Sequence, residues 1–364
     1  MTALFIECNL QRCVVVPSNQ MQLNKFINTL QIDMRYFQQF FIVFVLLAPM
    51  QFAVAQAPPA APKTGAPAKT QAKVPAPSKE LVSSTKPIDA AGQKQISEFI
   101  ASRCRIILEG DPSQARIASA DLQTVLRQAT ATPIFLRACA EGLKPLVPKI
   151  IVTNDSFRIN NILQVVRWTR SAEALDILIQ QATTATQKDI SIRIGASRLM
   201  PGCVANANLT APQIDSAARR IRDASESETQ WVVSVHEMQA LAALVAVAQE
   251  AKLTAQLDFA RAEFLKTLTV STVLVSKPEG QEQIFALQRG LIILRDILLK
   301  TPKEEMAKMA PAIRAITQAT KLIAKVKAPS VNGFSQSANN AVVVAGVIDN
   351  LVGIQESAPK SKGG

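Results

Sequence analysis

Histidine is almost absent from this sequence, because the 364 residues contain only one, His236. A metal cage built from several histidines is therefore excluded, and a Ser-His-Asp triad would have to use that single residue. We interpret His236 as structural, since its neighbour Glu237 lies about 100 degrees away around a helix and does not orient it. The chain also lacks a Gly-rich phosphate loop and a G-x-S-x-G motif, so most familiar hydrolase sites are excluded. The sequence predicts a protein that is not an enzyme and uses no cofactor.

Cysteine provides no metal or redox motif, because the five cysteines include no C-x-x-C pair. Cys8 and Cys13 precede the signal segment described below, so three remain in the exported chain: Cys104, Cys139 and Cys203. In an oxidising compartment these three form at most one internal disulfide, for which Cys104 and Cys139 are the preferred pair. Equally, all three are consistent with buried free thiols that act as small apolar side chains.

Aromatic residues make up 5% of the chain and charged residues 19%, whereas 48% is hydrophobic. The apolar content is too high, and the charge too diluted, for a wholly disordered protein. Lys and Arg outnumber Asp and Glu by 40 to 28. The chain therefore has a hydrophobic core and a basic balance.

An uncharged run, FFIVFVLLA, occupies positions 40–48 and is shorter than the ~20 residues of a membrane-spanning helix. Arg35 precedes it, and small residues at Ala53 and Ala55 follow it, which predicts a signal peptide over 34–55 that is cleaved after Ala55. Residues 1–33 then precede the true start at Met34 as a mis-called extension. The alternatives are a signal whose long N-terminal region begins at Met1 or Met21, and an apolar run that stays as an uncleaved anchor. We expect a secreted or periplasmic protein with no transmembrane span in the mature chain.

The segment 56–89 is rich in Pro, Ala and Lys, with seven Pro, five Lys and one acid between positions 56 and 87. Proline interrupts both helices and sheets, and the lysines repel one another, so the sequence predicts a disordered linker. The alternative is an arm that binds a polyanion.

From 90 to 328 the apolar residues recur with helical spacing, and we predict an all-α domain. Ile284, Leu287 and Leu291 lie on one face of a helix, for example. The sequence Thr301-Pro302-Lys303-Glu304 resembles a helix start. Breaks at Pro, Gly and polar clusters predict eleven helices: 92–109, 112–129, 133–144, 155–169, 171–183, 188–199, 210–225, 229–250, 253–274, 281–300 and 303–326. Their short connections favour antiparallel hairpins, either stacked as a solenoid or closed into an irregular helical bundle.

The segment 189–199 carries a family resemblance in Asp189, Ile192, Arg193, Ala196 and Leu199. This pattern resembles the second helix of a HEAT repeat. It consists of an acid, then a β-branched residue followed by Arg, and then Ala and Leu three and six residues after that Arg. The segment 111–122 is a partial second copy. The resemblance implies an α-solenoid in which Asp189 and Arg193 help to join adjacent repeats, and a role in binding macromolecules.

Basic residues are frequent between positions 158 and 222 and suggest a polyanion-binding surface. Acids follow at helical spacing, however, which is typical of an exposed face with ion pairs. Export also argues against nucleic acid, so we expect a protein or a cell-envelope polymer as partner. Residues 329–364 are predicted to be a mostly flexible tail. Its apolar stretch 340–354 is expected to be a short helix or strand that docks on the domain, and the alternative is a partner-binding segment.

The sequence thus predicts an exported, non-catalytic interaction or scaffold protein of the cell envelope. The alternatives are an envelope enzyme that uses carboxylates or arginines, and a polyanion-binding protein.

Overall fold

The computed structural model describes residues 74–325 and 331–353. The predicted extension (1–33), the signal peptide (34–55) and the linker as far as 73 lie outside the described residues. Within them the protein is all-α, with 77% of residues in helices and no β-strand. The helices are α1 (Lys79–Val82), α2 (Ala90–Glu109), α3 (Pro112–Leu126), α4 (Pro133–Leu143), α5 (Val147–Ile151), α6 (Ser156–Val166), α7 (Ala172–Ala182), α8 (Ile190–Val204), α9 (Ala211–Ser225), α10 (Trp231–Glu250), α11 (Thr254–Val275), α12 (Gln283–Leu298), α13 (Lys303–Ile323) and α14 (Phe334–Val352).

Local sequence sets most helix starts. Asp111 begins α3 with a capping box, in which its side chain accepts from the Gln114 amide at 2.9 Å and the Gln114 side chain accepts from the Asp111 amide at 3.1 Å. The cap expected at Thr301 is not formed. Thr301 instead donates to the carbonyl of Ile297 at 2.8 Å and accepts from Arg261 at 3.2 Å. Its hydroxyl therefore joins two helices rather than starting one.

The helices form two rows, which gives the stacked, solenoid-like arrangement. In one row α3, α6, α8, α10, α12 and α14 each pack on the next member, and in the other α7, α9, α11 and α13 do the same. Within hairpins, α7 packs on α8, α9 on α10, α11 on α12 and α13 on α14. Both segments that resemble a HEAT helix, in α3 and α8, belong to the first row. A chain of repeated hairpins produces this pattern, because each helix of a row packs on the corresponding helix of the next hairpin.

The core runs between the two rows. Phe264 of α11 and Met238 of α10 are buried there. Gly290 of α12 permits this packing, since a Cβ at that position would lie 2.4 Å from the Met238 sulfur and 2.6 Å from a methyl group of Leu268. Close packing leaves no room for such an atom.

The first helical hairpin is covered by a segment that the sequence predicted to be disordered. Val82 is fully buried, and Thr132 donates through its amide to the Val82 carbonyl at 3.1 Å and through its hydroxyl to the Ser84 carbonyl at 2.7 Å. Arg103 donates to the Val74 carbonyl at 3.1 Å. The linker prediction is therefore corrected for 74–89, because a few apolar residues and exposed carbonyls are enough to hold this segment on the domain.

The flexible-tail prediction is corrected for the described residues 331–353, whereas the predicted docking of the apolar stretch on the domain is confirmed as far as these residues extend. Residues 334–352 form α14, which packs on α12 and α13. Phe334, Ala341 and Ile348 are buried, and Asp349 forms an ion pair with Lys321 of α13 at 2.9 Å. The β-branched residues of this stretch obscured its helical spacing, and docking supplies the stabilisation that its propensity lacks. Residues 326–330 and 354–364 lie outside the described residues.

Candidate functional site

A groove of about 1020 Å³ lies between α4 and α7 in the described part of the chain, and we call it the α4/α7 groove. One face of α4 forms one wall, and one face of α7 forms the other. The short helix α5, Val152 after it, and the residues leading into α9, among them Asn208, complete the lining. A groove of this size is at the upper end of the range for ligand sites.

The groove lies where the second row begins. Thr132 caps α4 by accepting from the Phe135 amide at 3.3 Å, and α4 ends at Leu143. The chain then makes only the five-residue α5, with Pro148 in its first turn, before α6. Both α4 and α7 pack on the 3-10 turn Arg167–Thr169. On one side α7 packs on α9, whereas α4 and the short α5 face it across the groove.

The groove contains charged side chains of both signs that have no bonding partner in the described part of the chain. Arg137, Lys144, Glu141 and Glu173 line it, and none of these four forms an ion pair or a side-chain hydrogen bond among the described residues. A fifth charge, Asp176, is neutralised by an ion pair with Arg220 of α9. Charges that remain unpaired beside apolar surface are available to a ligand.

Arg170 enters the groove from an unusual backbone position. Its φ of 53° places it in the left-handed region, which residues other than glycine rarely adopt. The turn ends there, and Ser171 caps α7 by accepting from the Ala174 amide at 3.2 Å. The Nε atom of Arg170 is buried and has no hydrogen-bond partner in the described residues. Strained residues with unsatisfied polar atoms are concentrated at functional sites.

The two residues predicted to join repeats have separate roles. Asp189 caps its own helix, α8, and accepts from the Ser191 amide at 2.7 Å and the Ile192 amide at 3.3 Å. These hydrogen bonds, first among them that of the Ser191 hydroxyl, lower the pKa of Asp189. Arg193 instead forms a buried ion pair with Glu228, at 2.9 Å, in the loop before α10. Arg193 therefore connects consecutive hairpins, but with a different partner.

A buried acid lies beside this ion pair. Glu237 of α10 is fully buried, and neither carboxyl oxygen has a hydrogen-bond partner in the described residues. Burial first, and then the negative charge of Glu228, raise the pKa of Glu237 well above its usual value, although Arg193 opposes them. The amide of Gln283 from α12 bonds nearby to the Glu228 carbonyl at 3.1 Å and to the Ser234 hydroxyl at 3.0 Å. We interpret this cluster as part of the core, because it does not open into the groove.

The disulfide predicted between Cys104 and Cys139 is not formed. These two residues and Cys203 are free and buried, and burial raises the pKa of each thiol to about 12. They act as small apolar side chains in the core, which is the alternative that the sequence left open.

His236 and the two tryptophans contribute to packing. The His236 ring nitrogen Nδ1 lies 3.1 Å from the Ser197 hydroxyl, and burial followed by the charge of Arg198 lowers the His236 pKa. Trp168 is flanked by guanidinium groups, and Trp231 lies 5.3 Å from the ring of Phe285. None of the three lines the α4/α7 groove.

Most arginines between 158 and 222 are engaged inside the fold. Arg158 donates to the carbonyls of Ile107 at 2.6 Å and Gly110 at 3.1 Å, and Arg222 bonds to the buried Glu263 at 3.0 Å. These contacts join helices, as expected of a face with ion pairs. The basic cluster therefore does not form one free surface.

One described helix, α10, is long and apolar enough to cross a membrane by length and composition, but it is packed among α8, α9, α11 and α12. This leaves no clear transmembrane span in the described part of the chain.

Sequence reasoning did not identify the α4/α7 groove. Three charged residues of the groove follow one another at steps of four and three along α4 and its end: Arg137, Glu141 and Lys144. This spacing is common on any exposed helix. The sequence signal nearest to the groove is Pro148, which follows closely on the end of α4 and lies in the five-residue helix α5.

Comparison with family models, curated proteins and solved structures gives no match to this chain.

Proposed function

We propose that this is an exported, non-catalytic interaction protein of the cell envelope, with a HEAT-like arrangement of hairpins, and that its α4/α7 groove holds an extended segment of a protein or envelope polymer. The observation that carries the proposal is the groove itself. It is as large as the biggest small-molecule sites, it combines apolar walls with unpaired charges of both signs, and it lies where the second row of the stack begins.

Export is supported by the sequence of 34–55, and its test is the N-terminal sequence and cell fraction of the native protein. A mature chain that begins at Gln56 outside the cytoplasm is expected. An intact chain that begins at Met1 in the cytoplasm would contradict export and would make a polyanion partner of the lysine-rich segment the better explanation.

Groove binding is tested by photocrosslinking in living cells. A photoreactive amino acid is placed at Val152, which is 74% exposed at the groove edge, and, as a control, at Val273, which is 52% exposed on α11. A discrete adduct is expected at position 152 alone. Adding R137E and K144E should abolish it, whereas the matched charge changes K300E and K303E should not. Equal adducts at both positions would show non-specific contact and refute the groove as a binding site.

One observation favours a catalytic alternative. Glu141 and Glu173 are two unpaired carboxylates that line the same groove, and glycoside hydrolysis uses two carboxylates that flank the substrate. If the groove cleaves a glycan, E141Q and E173Q should each abolish turnover of envelope polysaccharide. If it only binds, the wild type releases no product and the two variants alter binding alone.

A further inference from the structure

The side of α14 that faces away from the domain is an uncharged stripe. The buried residues of α14 include Ala341, Ala345 and Ile348. Directly opposite them, at alternating steps of three and four, lie Gln336, Asn339, Val343, Gly346 and Asn350, and Val347 flanks this row. Val343 is 68% exposed and Val347 43%. This is the seam spacing of a helix that packs on another helix.

No contact among the described residues explains the glycine at position 346. A Cβ at this position would meet no atom within 4 Å, and glycine is among the least favourable residues in the middle of a helix. By contrast, Gly290 is required by the atoms around it. A glycine on an exposed seam allows another backbone to approach closely, as small residues do at tight helix contacts.

The stripe is complementary to itself when reversed. In an antiparallel pair centred between positions 344 and 345, Asn339 of one copy lies opposite Asn350 of the other, and Val343 lies opposite Gly346. Each valine then fills the space left by a glycine, and each pair of amides can hydrogen-bond. Both contacts occur twice about a two-fold axis, which is the requirement for an isologous interface.

The stripe has no charge that would select a charged partner. The only charged residue of α14 is Asp349, which is buried and paired with Lys321, so the stripe attracts neither polyanions nor basic proteins. The next eleven residues, IQESAPKSKGG, contain one large apolar side chain, so their sequence complements the stripe less well than a second copy of α14 does.

We propose that α14 is a self-association surface, on which a second copy of this chain packs antiparallel through Val343 and Gly346. A helix of 19 residues is about 28 Å long, so it covers less area than a standard interface of roughly 800 Å² per partner. The pair is therefore weak and depends on concentration.

Sedimentation equilibrium of the full chain, purified as the expressing cell processes it, tests the proposal. A monomer-dimer equilibrium is expected, and V343K and G346L should each weaken it at least tenfold. Because position 346 opens onto free space, G346L leaves the monomer folded, which circular dichroism confirms. The matched surface change V273K should have no effect. A chain that stays monomeric, or a dimer that V343K and G346L leave intact, would overturn the proposal. Dimers that appear only after residues 354–364 are deleted would identify this segment as the occupant and overturn it too.

Cysteine crosslinking tests the antiparallel register, with Cys8 and Cys13 replaced by Ser. A mixture of N339C and N350C chains should form a disulfide dimer, since the two positions are opposed. Each variant alone should remain uncrosslinked, because identical positions are separated by about 16 Å along the helix axis. Crosslinking of N339C with itself would indicate parallel pairing and overturn the assignment.

Discussion

The buried carboxyl of Glu237 makes a specific prediction about pH. Its folded-state pKa is raised by burial and by Glu228, with Arg193 acting in the opposite direction. The folded protein therefore holds this proton at pH values where the unfolded chain, whose pKa is near 4.5, has lost it. The proton's contribution to stability is complete below the unfolded pKa and is lost as pH rises through the folded pKa.

The change Glu237→Gln removes this titration and keeps the shape of the side chain. The free energy of unfolding of the variant, relative to the wild type, should increase with pH above about 4.5 by at most about 1.4 kcal/mol per pH unit. The increase stops when the folded pKa is passed, because the carboxylate is then charged in both states. Between pH 5.5 and 7.5 the maximum gain is about 3 kcal/mol.

The assay is urea unfolding of wild type, E237Q and E250Q at half-unit steps from pH 5 to pH 8. Glu250 lies on the same helix but is exposed, so E250Q should show no such trend. Burial lowers the pKa of His236, but His236 is present in all three proteins and its contribution cancels in the differences. A constant difference between E237Q and wild type across this range would refute the argument that Glu237 is protonated in the folded state.

Three further predictions concern stability and reactivity. R193M leaves Glu228 buried without its partner and should lower the free energy of unfolding, measured in urea, by roughly 3 to 5 kcal/mol. Adding E228Q should restore part of this stability. If the two changes destabilise the protein additively, the two side chains are not directly coupled. F264A removes a fully packed ring and should cost about 3 to 5 kcal/mol, whereas V343A on the exposed face should change stability by less than about 0.5 kcal/mol. With Cys8 and Cys13 replaced by Ser, a thiol reagent should find no reactive group in the native protein and three after unfolding, and fewer than three would indicate a disulfide among Cys104, Cys139 and Cys203.

Helix positions were predictable because the information that sets them is local. Spacing of apolar residues and caps such as Asp111 act within a few residues, and all eleven predicted helices are present, with ends that differ by a few residues. The same reasoning predicted the docking of the stretch around 340–352 but not the full length of α14, and it missed the ordered segment 74–89. In both, short apolar patches become stable only because the domain offers a surface to cover.

Charged residues show the limit of sequence reasoning about the site. The sequence associated Arg193 with Asp189, four residues away, whereas its partner in the structure is Glu228, 35 residues away. Arg158 and Arg222 belong to the segment that suggested a basic surface, yet the side chain of each bonds to a neighbouring helix. Whether a charged side chain is left without a partner depends on which segments lie close to it in space. The spacing of residues along the chain does not give these distances.

Sequence alone determined that this protein is all-α, built from about a dozen short-linked hairpin helices, because helix formation is governed by residues within one or two turns. Only the tertiary structure decided that the hairpins stack in two rows, that the second row begins at α7 beside a groove lined by α4, and that Gly346 faces open space among the described residues. These features arise from which helices pack together, and packing is chosen by the summed burial of apolar surface over the whole domain rather than by any one segment.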